Sequence, residues 1–251
     1  MKNVITVKNV SVKYIIGDFK NTGLKDFIIK KIKGNYVEKE FYANKNINFT
    51  LKKGDCLGII GINGAGKSTL LKAIAGVLKE ESGTIEVNGK IAALIELGAG
   101  FDFELTVKEN TFLRGALLGY SEEFMHQKYE EIINFAELNG YEDRPYKQLS
   151  SGMKSRLAFS IASLVNPDVL IIDEVLAVGD GGFREKSEKK MKEIINNGTT
   201  TLFVSHSLKQ IQDVCNKILW LDNGSQIVLS DDVNKTLREY VKYLKTRKLP
   251  K

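Results

Sequence analysis

The sequence predicts an α/β fold, a core on a mixed sheet with an α-helical subdomain inserted in it. Three observations carry that prediction. Val169-Leu170-Ile171-Ile172 and Thr201-Leu202-Phe203-Val204 are continuous apolar runs, the pattern of strands buried on both faces of a parallel sheet. Residues 3–14 and 47–51 alternate apolar and polar instead, which is how a strand with one wet face reads. From about residue 107 to residue 164 the apolar period lengthens to that of helices. With 251 residues, 43% of them hydrophobic, the chain can bury a sizeable core as one domain.

In chain order, the alternating stretch 3–14 is the first strand. The stretch 47–51 is the second and closes in the turn Lys52-Lys53-Gly54-Asp55. The apolar run Cys56-Leu57-Gly58-Ile59-Ile60 follows as a third strand. Leu70-Leu71-Lys72-Ala73-Ile74-Ala75 is helix-compatible and ends near Gly76. Ser82-Gly83-Thr84 opens Ile85-Glu86-Val87, with a turn at Asn88-Gly89. In the helical part, Phe112, Leu113, Ala116 and Leu117 share one face, and Tyr129, Ile132, Ile133 and Ala136 share another. The organisation reads as a single domain over 1–251. Its catalytic α/β core, with an antiparallel β part, takes 1–106 and 165–240; a helical subdomain takes 107–164. A basic insert lies at 15–40 and a basic tail at 241–251. There is no internal repeat.

The net charge of +6 belongs to one segment, because residues 20–53 hold nine lysines against Asp26, Glu38 and Glu40. Within it, Leu24, Phe27, Ile28 and Ile32 fall on one helical face and Lys25, Lys30 and Lys33 on others, between Gly23 and Gly34. A short basic amphipathic helix fits a membrane surface or a membrane-bound partner. It equally fits a helix packed on this domain with its lysines in water. Nucleic acid is not an expected partner, since the aromatics here do not interleave with the lysines as a stacking platform would. No run approaches the length needed to span a bilayer, and Met1-Lys2-Asn3-Val4-Ile5-Thr6-Val7 alternates like a strand instead of forming a signal-peptide core, so a cytoplasmic location is expected. Cys56 and Cys215 are far apart in sequence, lack metal-ligand spacing, and read as buried free thiols.

Between the third strand and the first helix runs Gly61-Ile62-Asn63-Gly64-Ala65-Gly66-Lys67-Ser68-Thr69. Glycines let the backbone wrap closely enough for successive N–H groups to point at phosphate oxygens, and the following helix adds its positive dipole end. Lys67 reaches the outer phosphates and Ser68 offers a hydroxyl to Mg²⁺. A nucleoside triphosphate is the expected ligand, held by Gly61, Asn63, Gly64, Ala65, Gly66, Lys67, Ser68 and Thr69. The buried strand Val169–Ile172 delivers Asp173 and Glu174 at its C-terminal end, where an open α/β sheet places ligand chemistry. Asp173 suits Mg²⁺ opposite Ser68, and Glu174 suits the base that deprotonates an attacking water. A third element, Leu149-Ser150-Ser151-Gly152-Met153-Lys154, opens a helix with hydroxyls and free N–H groups, a second anion-seeking end. Read alone, it is an ordinary serine N-cap.

The order of phosphate loop, Ser-Ser-Gly-Met, strand-Asp-Glu and His206 resembles the ATPase subunits of ABC transporters over nearly the whole chain. The resemblance implies a P-loop NTPase core with a mixed sheet and an inserted α-helical signature subdomain, the ABC ATPase cassette. It implies a homodimer in which Ser150, Ser151, Gly152 and Met153 meet the γ-phosphate held by the partner's Lys67. It further implies that His206 senses that phosphate and holds Glu174 and water in place. Asp180 matches the loop that crosses the dimer interface, and Tyr14 the aromatic stacked on adenine, with Tyr42 as second choice. The implied cofactors are ATP and Mg²⁺.

Departures narrow the group. Ser151 and Met153 replace a glycine and a glutamine of the usual signature. The glutamine that normally meets Mg²⁺ and relays motion to a membrane subunit is absent from Leu94-Ile95-Glu96-Leu97-Gly98-Ala99-Gly100-Phe101, leaving Glu96 or its neighbours for that role. The set Glu-Leu-Gly-Ala-Gly-Phe, Ser-Ser-Gly-Met, Asp-Glu-Val-Leu-Ala-Val-Gly-Asp and Val-Ser-His-Ser is similar to the ATPases that export teichoic acids, O-antigens and capsules. That likeness implies two copies of a separate multi-span membrane subunit as partners, a lipid-linked glycopolymer as cargo, and a place at the cytoplasmic face of the membrane. Wall teichoic acid is the first expectation, an O-antigen or capsular polysaccharide exporter the alternative, and a soluble ABC-type ATPase acting on nucleic acid or ribosomes the less favoured one. The carbohydrate-binding domain that some members carry after this point is not expected in the stretch that follows Tyr240.

Overall fold

The computed structural model describes residues 3–16, 39–94, 100–165, 167–173, 181–205 and 207–250. Among the described residues nine strands, β1 (Asn3–Ile16), β2 (Lys39–Lys52), β3 (Cys56–Ile60), β4 (Ser82–Val87), β5 (Ile91–Ala93), β6 (Val169–Ile172), β7 (Thr200–Phe203), β8 (Lys217–Asp222) and β9 (Ser225–Ser230), form one sheet in the order β4-β1-β2-β9-β8-β3-β7-β6-β5. From β8 to β5 every pairing is parallel, whereas β1 pairs antiparallel with both β2 and β4, and β8 with β9. A single parallel bridge, Lys45 to Ser225, joins the two halves. The mixed sheet expected of the α/β class is therefore present.

The alternation of side chains across the central strands fills a core on each face. On one face Leu57, Ile59, Val169, Ile171, Leu202 and Leu219 pack with Leu70, Leu71 and Ile74 of α1 (Lys67–Ile74) and with the inner residues of β1 and β2. On the other, Ile60, Leu170, Ile172, Phe203 and Trp220 pack with Phe159, Phe183, Met191, Tyr240 and Tyr243. Both faces being covered, β3, β6 and β7 are buried at every residue, which is why they read as unbroken apolar runs. Each such Leu, Ile or Phe contributes about 1.5–3 kcal/mol of burial.

The helices α2 (Val107–Leu117), α3 (Glu122–Ala136) and α4 (Ser151–Leu164) enclose a third core of Val107, Met125, Ile132, Ile133, Leu157 and Ile161. Thr106 and Glu109 make a reciprocal capping box at the start of α2, and Ser121 caps α3. Phe135 of α3, Phe159 of α4 and Phe183 of α5 (Gly181–Asn196) meet with ring centres 5.8 to 6.1 Å apart, so an aromatic triad joins the helical unit to the sheet. The remaining helical spans among the described residues are a 3-10 turn at Tyr146–Gln148, the short α6 (Leu208–Val214) and the 14-residue α7 (Val233–Thr246).

The strand read at 47–51 begins eight residues earlier, because residues 39–46 pair with β1 although their sequence does not alternate. The two cysteines, 159 residues apart in sequence, bring their Sγ atoms to 3.5 Å, and both are buried free thiols. The hydrogen bond with the Cys56 thiol, and then burial, push the Cys215 pKa up. Among the described residues, no helix is long and apolar enough to cross a membrane. The basic helix read within 15–40 lies outside the described residues apart from that segment's ends.

Candidate functional site

The phosphate loop leaves the C-terminal end of β3 and enters α1 through Gly66, a left-handed N-cap with φ +97°. A side chain is excluded there twice over, since a Cβ would drive into the carbonyl oxygen of Ala43. Gly64, also left-handed at φ +81°, faces open space instead. The loop is held from behind by two strands. Asn44 of β2, fully buried, donates from Nδ2 to the Gly66 carbonyl at 3.2 Å. The Gly224 N–H in the β8–β9 turn donates to the Ala65 carbonyl at 3.2 Å, and Lys45 N–H donates to the Gly224 carbonyl at 2.8 Å. The carbonyls of Ala65 and Gly66 are thus engaged from behind the loop, an arrangement that suits a phosphate-binding turn at a helix start.

Lys67 Nζ donates to the carbonyls of Gly61 at 2.8 Å and Ile62 at 3.1 Å, so its ammonium arches over the first part of the loop. Asn63 and Ser68 are exposed, and Thr69 is half-buried. A cavity of about 520 Å³ opens at this end, lined by Gly61, Ile62, Asn63 and Lys67 of the loop, by Ser205 after β7, and by Tyr240, Leu244 and Arg247 at the far end of α7.

Asp173 stands at the C-terminal end of β6, 8% exposed, with β7 between it and the loop-bearing β3. A carboxylate here and the Ser68 hydroxyl are hard oxygen ligands suited to Mg²⁺, which takes one or two protein groups and completes its shell with water and phosphate oxygens. Ser150 is the N-cap of α4, its Oγ accepting the Met153 N–H at 3.2 Å. Ser150 and Ser151 are exposed, and Gly152 leaves free space around the helix start. None of Ser150, Ser151, Gly152 and Met153 lines the cavity at the phosphate loop, so the starts of α1 and α4 lie at separate places in the chain's fold. Tyr14 is 39% exposed opposite Phe41, and Tyr42 is half-buried beside it in β2.

Glu174, Asp180 and His206 lie outside the described residues, as does the stretch 95–99 containing Glu96. The neighbours of His206 are fixed. Val204 is buried, Ser205 Oγ donates to Gln210 Oε1 at 2.7 Å and accepts the Ser207 N–H at 3.0 Å, and Ser207 caps α6.

Sequence reasoning missed the buttress of Asn44 and Gly224 and the wall supplied by α7. Asn223-Gly224 is a hairpin signal that could have located the turn. An asparagine within a strand gives no comparable sign.

Residues 44–177 match the family model described as ABC transporter. The O-antigen export system ATP-binding protein RfbB of Klebsiella pneumoniae is 41% identical over 225 residues, 89% of this chain and 92% of that protein. The teichoic acids export ATP-binding protein TagH of Bacillus cereus is 40% identical over 245 residues, 98% of this chain, which spans only 44% of that relative. Among solved structures, a dimeric post-hydrolysis state of the ATP-binding cassette MJ0796 bound to ADP and Pi superposes with a TM-score of 0.70 at 23% identity, covering 90% of this chain and 97% of that one.

Proposed function

The chain belongs to the ABC transporter family, and from that premise we propose that it is the ATP-hydrolysing subunit of an exporter of lipid-linked cell-surface polysaccharide. The observation that carries the reading is the buttressed phosphate loop, with Lys67 over its outer end and the buried Asp173 carboxylate two strands away, in a chain about 40% identical to two polysaccharide-export ATP-binding proteins.

In this reading Lys67 exchanges the Gly61 and Ile62 carbonyls for the outer phosphate oxygens of ATP. Ser68 and Asp173 hold Mg²⁺, which neutralises charge on the leaving phosphates. Glu174 orients and deprotonates the water that attacks the γ-phosphorus, and His206 holds that pair in register with the phosphate. Tyr14 stacks on adenine. Ser150, Ser151, Gly152 and Met153 of one protomer close over the nucleotide of a second, with Asp180 at the seam, so the working form is a homodimer closed by ATP and opened by hydrolysis.

The dimer docks at the cytoplasmic face of the membrane on two copies of a separate multi-span subunit. Wall teichoic acid is the favoured cargo, because a teichoic-acid relative aligns over 98% of this chain. O-antigen or capsular polysaccharide is the alternative. The test is a pull-down of the tagged chain from detergent-solubilised membranes of its native cell, with partners and glycans identified by mass spectrometry. A stoichiometric membrane subunit carrying a ribitol- or glycerol-phosphate polymer is the expected result. Recovery with ribosomes or DNA and no membrane protein would overturn it.

A further inference from the structure

Resting on the reading of ATP at the phosphate loop, we propose that Arg247 contacts the terminal phosphate of the nucleotide bound to its own protomer, making the end of α7 part of the nucleotide site. The argument begins with direction. A phosphate-loop lysine reaches the outermost phosphates, and Lys67 lies on the carbonyls of Gly61 and Ile62. The outer-phosphate end of the loop is therefore its 61–63 end. The 520 Å³ cavity opens on that end and includes Asn63, whereas Ser68 and Thr69 do not line it.

Arg247 lines this cavity together with the loop. Among the described residues, the charged groups lining it are Lys67 and Arg247, both cations. An anion is the ligand such a pair selects. The guanidinium is a planar fork with five donors, matched to phosphate oxygens. Its position also answers an electrostatic problem, because the C-terminal end of a helix is its negative end and would by itself repel a phosphate.

Arg247 is held in place by its surroundings. It is the left-handed residue that ends α7, with φ +56° and its N–H closing on the Tyr243 carbonyl at 2.7 Å. The guanidinium lies 5.9 Å from the centre of the Tyr243 ring. Tyr243 in turn donates its hydroxyl to Asp222 Oδ1 at 2.8 Å, a buried bond, and both Tyr240 and Tyr243 pack edge-on against Trp220. Asp222 begins the turn whose Gly224 N–H holds the Ala65 carbonyl in the loop. One buttress therefore fixes the loop and the helix that carries the arginine.

The test measures Mg-ATP and Mg-ADP affinities of the full chain by calorimetry for wild type, Arg247→Ala and Arg247→Glu. Loss of one charge-assisted contact predicts ATP binding weakened about tenfold in the alanine variant, ADP binding changed less than about twofold, and a larger ATP loss for glutamate. Arg247 is exposed, and an unchanged thermal melt of the alanine variant shows that the fold is intact. ATP affinity indifferent to both substitutions, or equal losses of ATP and ADP, would overturn the inference while leaving the phosphate loop in place. A wild-type chain that binds neither nucleotide would instead sink the underlying reading.

Discussion

Ser150 is both a structural cap and a proposed phosphate contact, and two substitutions separate these roles. Its Oγ accepts the Met153 N–H at 3.2 Å. Ser150→Ala removes that bond and costs about 1 kcal/mol, which in a chain of this size lowers Tm by about 2–4 °C. Ser150→Asp keeps the cap and adds a favourable charge at the helix start worth about 0.3–1 kcal/mol, so it should melt at or above wild type. In a closed dimer, however, the same carboxylate would face a terminal phosphate at hydrogen-bonding distance. At an effective dielectric near 20, two like charges about 4 Å apart repel by about 4 kcal/mol. Allowing for screening, ATP turnover and ATP-driven dimerisation should fall by at least about a hundredfold while stability holds. Thermal melts read the first quantity and phosphate release with light scattering the second. An aspartate variant that turns over ATP within about tenfold of wild type would show that Ser150 is a cap and nothing more.

Asn44→Ala should uncouple the loop from its buttress at small cost to the fold. The bond to Gly66 is lost, but so is an Oδ1 atom that is buried without a partner among the described residues, so the net stability change should stay under about 1 kcal/mol while ATP affinity drops severalfold. Denaturant melts and nucleotide titration check this; a large loss of stability with unchanged affinity would contradict it. Burial pushes Tyr120, Tyr129 and Tyr146 up to about 12. Between pH 10 and 12 the native state then holds protons that the unfolded chain has released, so stability falls as pH rises through that window. Tyr240, pushed up by burial, and Tyr243, pushed up by its bond to Asp222, should join them, so phenolate absorbance should show these five of the nine tyrosines titrating late in the native protein, with the lag abolished in denaturant.

What the sequence made visible was local. The phosphate loop occupies nine consecutive residues, its strand and helix are contiguous with it, and its geometry follows from glycine and lysine placement. The strands Val169–Ile172 and Thr200–Phe203 announced themselves because burial on both faces forces apolar residues at every position. What stayed hidden depends on chain segments far apart. Asn44 reaches Gly66 from across 22 residues, Cys215 reaches Cys56 from across 159, and Arg247 reaches the cavity from the opposite end of the chain. β5 is three residues long, too short for periodicity to register. Residues 39–46 lacked alternation because that part of β2 answers to its pairing with β1 and to the loop it supports.

The central claim is that two copies of this chain close around ATP and hydrolyse it. Sedimentation of the Glu174→Gln variant with Mg-ATP and without nucleotide tests it most directly. The account predicts a monomer without nucleotide, a stable dimer holding one ATP per protomer, and turnover reduced by more than about a hundredfold through loss of the general base. A chain that stays monomeric at saturating ATP, or a variant that hydrolyses ATP within about tenfold of wild type, would contradict it.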